Sequence, residues 1–448
     1  MANSPQEVLV ACREHDVKAV ALHVTDMLGR WHRLTVPLSR LSDESFDDGF
    51  PWTWQRSGER FGEVADVLLM PQPNTAFIEP FAELPTLCLL CTMLDPVTRE
   101  ELPEDSRSIA LRAERYARES GVADEIRFGL TVEFFISDRN ASHTSRSENC
   151  HSSGPDWTPE EYQHDPAAWP APTAAVHRLD DDFRNGIMQA LLDCGVNVKS
   201  HRQGHSDRRQ SVIELDDTSL VVCADHLMVV KHIVKRLAER DGRSATFMLI
   251  PQSGAPASGM PVQLSMLKHE NCVFSGAGYG GLSDAALHAI GGILSHASAI
   301  VALTNSTANS YERLAAGGLP LIAYSQSDSQ VALRVPSCPA GKTKVLEFRP
   351  PDAVSNPYLG FAALLMAAVD GIQNKMDPGA SRDPDLYRER GAPESIQPPV
   401  PASFETALAA LQEDGEFLLR GDVFSPEMLQ SWIAEMRTIE VLQNPSKS

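Results

Sequence analysis

The chain has 448 residues, with 39 Lys and Arg against 60 Asp and Glu, a formal net charge of -21. A length of about three 150-residue domains excludes a lone small binding module, and the negative field excludes nucleic acid and anionic lipid as main partners. At 42% hydrophobic and 22% charged residues the composition is globular, and no stretch reaches the roughly 18 apolar residues of a membrane span. The N-terminus has no basic segment followed by an apolar run, so a cytoplasmic protein without a membrane partner is expected. Eight cysteines in a chain this long are too sparse for a disulfide framework, which predicts reduced thiols.

Short strand-like runs at Ala19 to Val24, Leu34 to Pro37, Asp66 to Met70, Ala76 to Pro80 and Leu87 to Met93 predict a small mixed-sheet domain over residues 1–100. Cys88 and Cys91 fall in the last run, where side chains three apart face opposite ways and share neither a bridge nor a metal. Asp105 then caps a helix with Ile109, Ala113, Tyr116 and Ala117 on its buried face and Gly121 past its end, opening a second domain over 101–448. Asn140 to Pro172 is polar and aperiodic and reads as a long surface excursion. Further helices are predicted at Asp182 to Cys194, Leu220 to Glu239 and, as one long element, Ser283 to Leu303. A buried helix is expected over Asn356 to Asn374, and Pro-rich residues 392–401 set off a C-terminal helical piece. This order fits α+β better than regular βαβ units.

Two short motifs mislead. Gly276-Ala-Gly278-Tyr-Gly-Gly281 matches G-x-G-x-x-G, but no acid lies about 20 residues on to hold a ribose, so it reads as a turn into a helix. Gly341-Lys342-Thr343 resembles the end of a phosphate loop, yet Pro336 stands where the first glycine belongs.

Longer segments carry a stronger signal. Asp66-Val-Leu-Leu-Met-Pro71, Arg107-Ser-Ile-Ala-Leu-Arg112, Val132-Glu-Phe-Phe-Ile136, Asn309-Ser-Tyr-Glu-Arg-Leu314, Glu347-Phe-Arg-Pro-Pro-Asp352 and Asn356-Pro-Tyr-Leu-Gly360 occur in order along nearly the whole chain. Together they resemble the glutamine synthetase family. That resemblance implies a β-grasp N-terminal domain, a large catalytic domain, and rings of subunits. It also implies use of ATP and two or three Mg or Mn ions to phosphorylate a glutamate side chain, after which ammonia or an amine displaces the phosphate.

Set against the family pattern, Glu133 and Glu347 are the remaining metal ligands. Thr131, Gly204, Val212 and Pro261 stand at other ligand positions, and Gln263 replaces a nucleotide-contacting His. Pro256 replaces a glutamate-holding Asn, Ser329 and Val345 replace two arginines, and Thr53 takes the place of an ammonium-site Asp beside Trp52 and Trp54. The flap after Leu314 contains no acid, which removes the family's general base. What remains is Arg313, Arg334 and Arg349 as an anion pocket, with Ser265 and Lys342 near the nucleotide region. Arg202, Arg208 and Arg209 add charge where acids used to be, and guanidinium can hold a carboxylate or phosphate without metal.

The main expectation from this pattern is a pseudoenzyme with no resident cofactor, self-assembled as a hexameric ring or double ring, with an active glutamine synthetase paralogue as a second candidate partner. A divergent ligase joining glutamate to a bulkier amine with ATP and Mg or Mn is the first alternative. New chemistry in the old pocket is the second, including a Zn or Fe site at His201 and His205 with Asp207 and Glu133.

Overall fold

Aliphatic and β-branched runs separated by Gly, Asp and Pro build the N-terminal sheet, as expected from such a pattern. The computed structural model describes residues 4–55, 64–138, 142–143, 152–153, 174–204, 210–250, 257–316, 320–328, 330–339, 343–383 and 398–443. The reading of Asn140 to Pro172 therefore lies almost wholly outside the described residues, as do Pro256, Ser329, Lys342 and His205. Helix α1 (Pro5–Glu14), which the sequence reading missed, is started by Ser4, whose Oγ accepts from Glu7 N at 3.3 Å.

Strands β1 (Ala19–Thr25) and β2 (Trp31–Pro37) are followed by α2 (Ser45–Asp48), β3 (Phe50–Gln55), β4 (Val64–Pro71), β5 (Phe77–Ile78) and β6 (Thr86–Leu94). They form one sheet in the order β2-β1-β6-β4-β3, with β5 beside β6. β3 is a second element that the sequence reading left as an aromatic insertion. It lies at the sheet edge, the place in a sheet where proline is tolerated. β1 and β6 are parallel and central, so both of their faces are buried. One face, with Val20, Leu22, Leu89 and Cys91, packs in the small core, whereas Ala21 and Cys88 on the other join the main core. The two cysteines thus face opposite ways, as expected.

The second unit runs through α3 (Ser106–Glu119), β7 (Glu125–Asp138), the two-residue strands β8 (Ser142–His143) and β9 (Ser152–Ser153), α4 (Ala174–Asp193), β10 (Val198–Gln203) and β11 (Gln210–Leu215). It continues with α5 (Leu220–Arg240), β12 (Arg243–Thr246), β13 (Val262–Lys268), β14 (Asn271–Cys272), α6 (Asp284–Ser295), α7 (Ala297–Thr304) and α8 (Ala308–Ala316). β15 (Leu321–Ser325), β16 (Val331–Arg334), β17 (Leu346–Phe348), α9 (Pro357–Asn374), α10 (Phe404–Glu413) and α11 (Pro426–Gln443) complete it. Its sheet has the order β10-β11-β7-β13-β17-β16-β15, with β12 beside β7 and β14 beside β13. Antiparallel pairing dominates and the helices are not regular crossovers, so the α+β class holds.

The predicted single helix from Ser283 to Leu303 is instead α6 and α7, bent by 69° at His296. Its imidazole lies 2.8 Å from Asp414 and 3.2 Å from Asp370 and stacks on Phe417, and these tertiary contacts favour the break. Among the described residues no single helix is long and apolar enough to cross a membrane.

α9 is buried on nearly every side, as its composition predicts. Asn356 accepts from Tyr358 N at its start, and its Nδ2 donates to Asp26 O at 3.0 Å and Met27 O at 3.1 Å, tying α9 to the β1–β2 turn. Gly29 in that turn has φ +76, and a Cβ there would come within 2.9 Å of Asn356 Cα, so only glycine permits the approach. Arg107 from α3 meets Asp225 from α5 at 3.0 and 2.8 Å, and Tyr358 OH of α9 donates to the same carboxylate at 2.7 Å. This buried triad joins the three helices behind the second sheet.

Candidate active site

Residues directly opposite one another in a sheet point to the same face, as do residues two apart on one strand. Gln263 of β13 lies opposite Gly129 of β7 and Glu347 of β17, and Glu347 lies opposite Arg334 of β16. Counting by twos along β7 adds Thr131 and Glu133, and Val212 of β11 lies opposite Glu133. Arg202 of β10 lies opposite Val212 and Ser265 lies opposite Arg127, so these side chains share the same face. Register alone therefore gathers Glu133, Thr131, Val212, Gln263, Ser265, Glu347 and Arg334 on one surface.

The two carboxylates are held by neutral donors. Glu133 Oε2 accepts from Gln210 Nε2 at 3.0 Å and from Gly259 N at 2.9 Å. Gln210 also donates to Ser258 Oγ at 3.3 Å. A Cβ at Gly204 would run into the Gln210 side chain, so that amide fills the volume that a ligand side chain at Gly204 would need. Glu347 Oε2 accepts from Gln263 Nε2 at 3.2 Å, and its other oxygen lies 3.6 Å from Arg334 Nη1. Gln263, which the sequence comparison sets against a His, supplies an amide donor to Glu347.

Arg313 on α8 reaches this face from the side. Its guanidinium donates to Pro350 O and would touch a Cβ at Gly259 at 3.1 Å. Burial pulls its pKa below the usual guanidinium value; Asp352 and Glu133 oppose the fall, and Arg349 adds to it. Gly259, whose N–H binds Glu133 and whose Cβ position abuts Arg313, brings the two side chains into one neighbourhood. Arg349 follows β17, where its N donates to Ala332 O at 2.9 Å.

Other anticipated residues fall elsewhere. His201 lies opposite Ile213, so it faces away from Glu133, and its Nε2 is 2.9 Å from Asn185 Oδ1. Burial and nearby Arg184 lower its pKa, which suits a structural imidazole. The alternative of a metal site pairing His201 with His205 and Glu133 is not supported for His201, and His205 lies outside the described residues. Thr53 is on the edge strand β3 of the small sheet, donating to Asp66 Oδ1 at 3.3 Å, away from this face of the chain. Pro261 leads into β13 and its carbonyl accepts from Thr131 N, while Val345 leads into β17.

Sequence reasoning missed the roles of Gln210, Ser258, Glu214 and Asp217. Glu214 lies opposite Thr131 on the same face and binds Lys199 at 2.7 Å. Asp217 abuts Gly129, where a Cβ would strike its Oδ1. Burial raises its pKa, against the pull of Lys199 and Arg127. Polar residues of this kind leave no periodic signal, so only contacts across strands and loops could have exposed the four of them.

The resemblance implies Mg or Mn at this face. Mg requires near-octahedral oxygen ligands, yet Glu133 and Glu347 are already bonded to amides, a backbone N–H and a guanidinium, and Glu214 to Lys199 and Ser200. Among the described residues no group of three or more His, Cys, Asp or Glu side chains is placed to hold a metal. The described donor set does not fit a cluster of divalent cations.

The family described as "Glutamine synthetase, beta-Grasp domain" matches residues 16–96, and "Glutamine synthetase, catalytic domain" matches residues 103–446. The chain belongs to the glutamine synthetase family. It is 40% identical over 450 residues to a glutamine synthetase of Aquifex aeolicus, covering 97% of this chain and 95% of that protein. It is also 37% identical over 455 residues to a protein named 3-hydroxylaminophenol mutase of Cupriavidus pinatubonensis, covering 98% and 96%. A ligand-free structure of GmaS superposes with a TM-score of 0.79 at 26% identity, covering 97% of this chain and 95% of that one. The Plasmodium falciparum glutamine synthetase superposes at 0.80 with 21% identity, covering 99% and 96%, which supports the fold alone.

These relatives overturn the pseudoenzyme expectation. Proteins named glutamine synthetase match at 35% to 40% identity over nearly the full chain, which favours an active enzyme. Counting missing ligands treated each substitution as an independent loss. Gln210 and Gln263 instead make specific hydrogen bonds to the two carboxylates, so the face is built rather than eroded.

Proposed function

We propose that this glutamine synthetase family member is a divergent carbon–nitrogen ligase that joins the side-chain carboxyl of glutamate to an amine, with ATP as the phosphoryl donor. The full-length similarity to proteins named glutamine synthetase carries this reading. The side-chain carboxylate oxygen attacks ATP's γ-phosphorus and the bond to the bridging oxygen breaks, releasing ADP; the amine nitrogen then attacks the acyl carbon, phosphate leaves, and the nitrogen's proton passes to solvent. Arg313, Arg334 and Arg349 are assigned to holding the substrate carboxylate and the phosphate oxygens, and Ser265 and Lys342 to the nucleotide side. Charge-assisted bonds of this kind favour planar oxyanions and stabilise charge that grows in the transition state. Because the described donors do not fit divalent cations, no step is assigned to one, and the ligase assay supplies Mg and Mn as variables.

The amine is assigned as larger than ammonia. Among the family positions, Thr53 replaces an Asp expected to attract ammonium, which removes a reason to prefer the small cation. Trp54 is buried in the small core and packs on His32 and Trp52, so only half-buried Trp52 is left to face a substrate or a neighbouring copy. A ring of copies belongs to the same proposal, with residues 1–100 and 101–448 as the two units of each subunit and the edge strand β3 available to a neighbour.

The test is to incubate the full chain with glutamate, ATP and ammonia, methylamine, putrescine or aniline, with Mg, Mn or neither. A γ-glutamyl amide seen by mass spectrometry, formed fastest with an organic amine, is the expected result. No amide with any amine overturns the ligase reading, and ammonia as the fastest acceptor overturns the choice of amine.

A further inference from the structure

A cavity of about 900 Å³ opens between the β1–β2 turn, α5, the segment around β12, and α11. That volume suits a small organic ligand, for which pockets run from roughly 300 to 1,000 Å³. Leu28, Met228, Met248 and Met436 give it apolar walls, with the rings of Trp31 and Phe247 among them. Lys231 and Lys235, one turn apart on α5, bring two ammonium groups to the same lining.

The charge balance is unusual for this chain. Although the whole protein carries -21, no Asp or Glu lines the cavity among the described residues. The other cations at its rim are already matched: His232 Nε2 is 2.5 Å from Glu79, and Arg30 Nε donates to Asp26 at 2.9 Å. Lys235 Nζ lies 6.0 Å from the Phe247 ring centroid. Lys231 donates to Ser355 O at 3.4 Å, a long bond that leaves donor capacity toward the cavity. Desolvation pulls the Lys231 pKa down to about 7; Asp352 opposes the fall and Lys235 adds to it. An ammonium in that position lacks a close counterion. Trp31 Nε1 is also buried without a hydrogen-bond partner among the described residues, although its ring lines the cavity. A buried donor left unmatched carries a desolvation cost that a ligand acceptor removes.

We propose that this cavity binds an organic anion with a flat apolar body, its carboxylate or phosphate held by Lys231 and Lys235 and its body lying against Trp31 and Phe247. The amphipathic lining selects against both inorganic anions, which leave the methionine walls wet, and neutral apolar molecules, which leave the lysines unpaired. The site is separate from the carboxylate and arginine face, with the buried Asp352 between Lys231 and Arg313 electrostatically. It stands whether or not the ligase reading does, because its test uses no turnover.

The experiment is calorimetry on the full chain with 1-naphthoate, 1-naphthyl phosphate and the neutral 1-naphthalenemethanol. Each is repeated on Lys231→Met, Lys235→Gln and Arg349→Ala, with thermal melting to verify folding. Lys235→Gln carries the test if Lys231→Met fails to fold. Saturable binding of either anion, weakened at least tenfold in the folded lysine variants and unchanged in Arg349→Ala, supports the site and identifies the head group. Absence of binding by both anions, equal binding of the alcohol, retention in the lysine variants or loss in Arg349→Ala overturns it.

Discussion

Gln210 Nε2 donates to Glu133 Oε2 at 3.0 Å from the space that any side chain at Gly204 would claim. The amide and the glycine are therefore a matched pair. Gly204→Glu is expected to destabilise the fold by about 1–3 kcal/mol through overpacking and a displaced hydrogen bond. Adding Gln210→Ala should restore part of that loss. Urea unfolding of the single and double variants measures both, and a Gly204→Glu protein as stable as the parent would show that Gln210 moves aside freely.

The three arginines predict anion binding without metal. Glutamate or ADP should bind in the presence of a chelator, and Arg349→Ala should weaken that binding by about 1.5–3 kcal/mol, roughly ten- to a hundredfold. Calorimetry decides. Binding that is absent, or unaffected by the substitution, would mean that Arg349 serves only the local packing after β17.

Asp225 answers the buried Arg107 and also accepts from Tyr358. Asp225→Ala leaves that guanidinium uncompensated and should cost about 3–5 kcal/mol. The double variant Arg107→Met with Asp225→Leu should recover much of it, because a well-packed apolar pair avoids the desolvation of both charges. Denaturant midpoints of the two variants separate charge pairing from simple packing.

His23 is buried against Trp31, with neither ring nitrogen hydrogen-bonded among the described residues. Burial, with smaller contributions from His232 and Arg33, depresses its pKa from 6.5 to about 3, against Glu79. Below pH 6.5 the unfolded chain binds a proton that the folded chain refuses, so stability falls as pH drops from 6.5 towards 3. The slope from this group approaches about 1.4 kcal/mol per pH unit. His23→Phe should flatten that part of the stability profile, and an unchanged acid profile would count against the assignment.

The sequence legibly placed β1, β4, β6, α5 and α9, because each carries a continuous apolar or periodic pattern that is satisfied locally. It missed β3, whose aromatic and proline residues read as an insertion, and it joined α6 to α7, whose break at His296 depends on carboxylates more than 70 residues away. The site divides in the same way. Glu133, Glu347 and the three arginines were visible because conspicuous residue types sit in long motifs shared with a family. Gln263 looked like a loss, and Gln210 carried no signal of its own.

Family, class and the inventory of chemical groups thus follow from the chain itself, since they depend on residue identity and on spacing within single elements. Which groups meet was decided by tertiary structure. Strand register puts Gln263 against Glu347, turns His201 away from Glu133, and brings the β1–β2 turn over α5 to enclose a cationic cavity in an acidic protein. The physical reason is the two-residue period of a strand: a shift of one residue changes the face of every side chain, and only pairing with distant strands determines that shift.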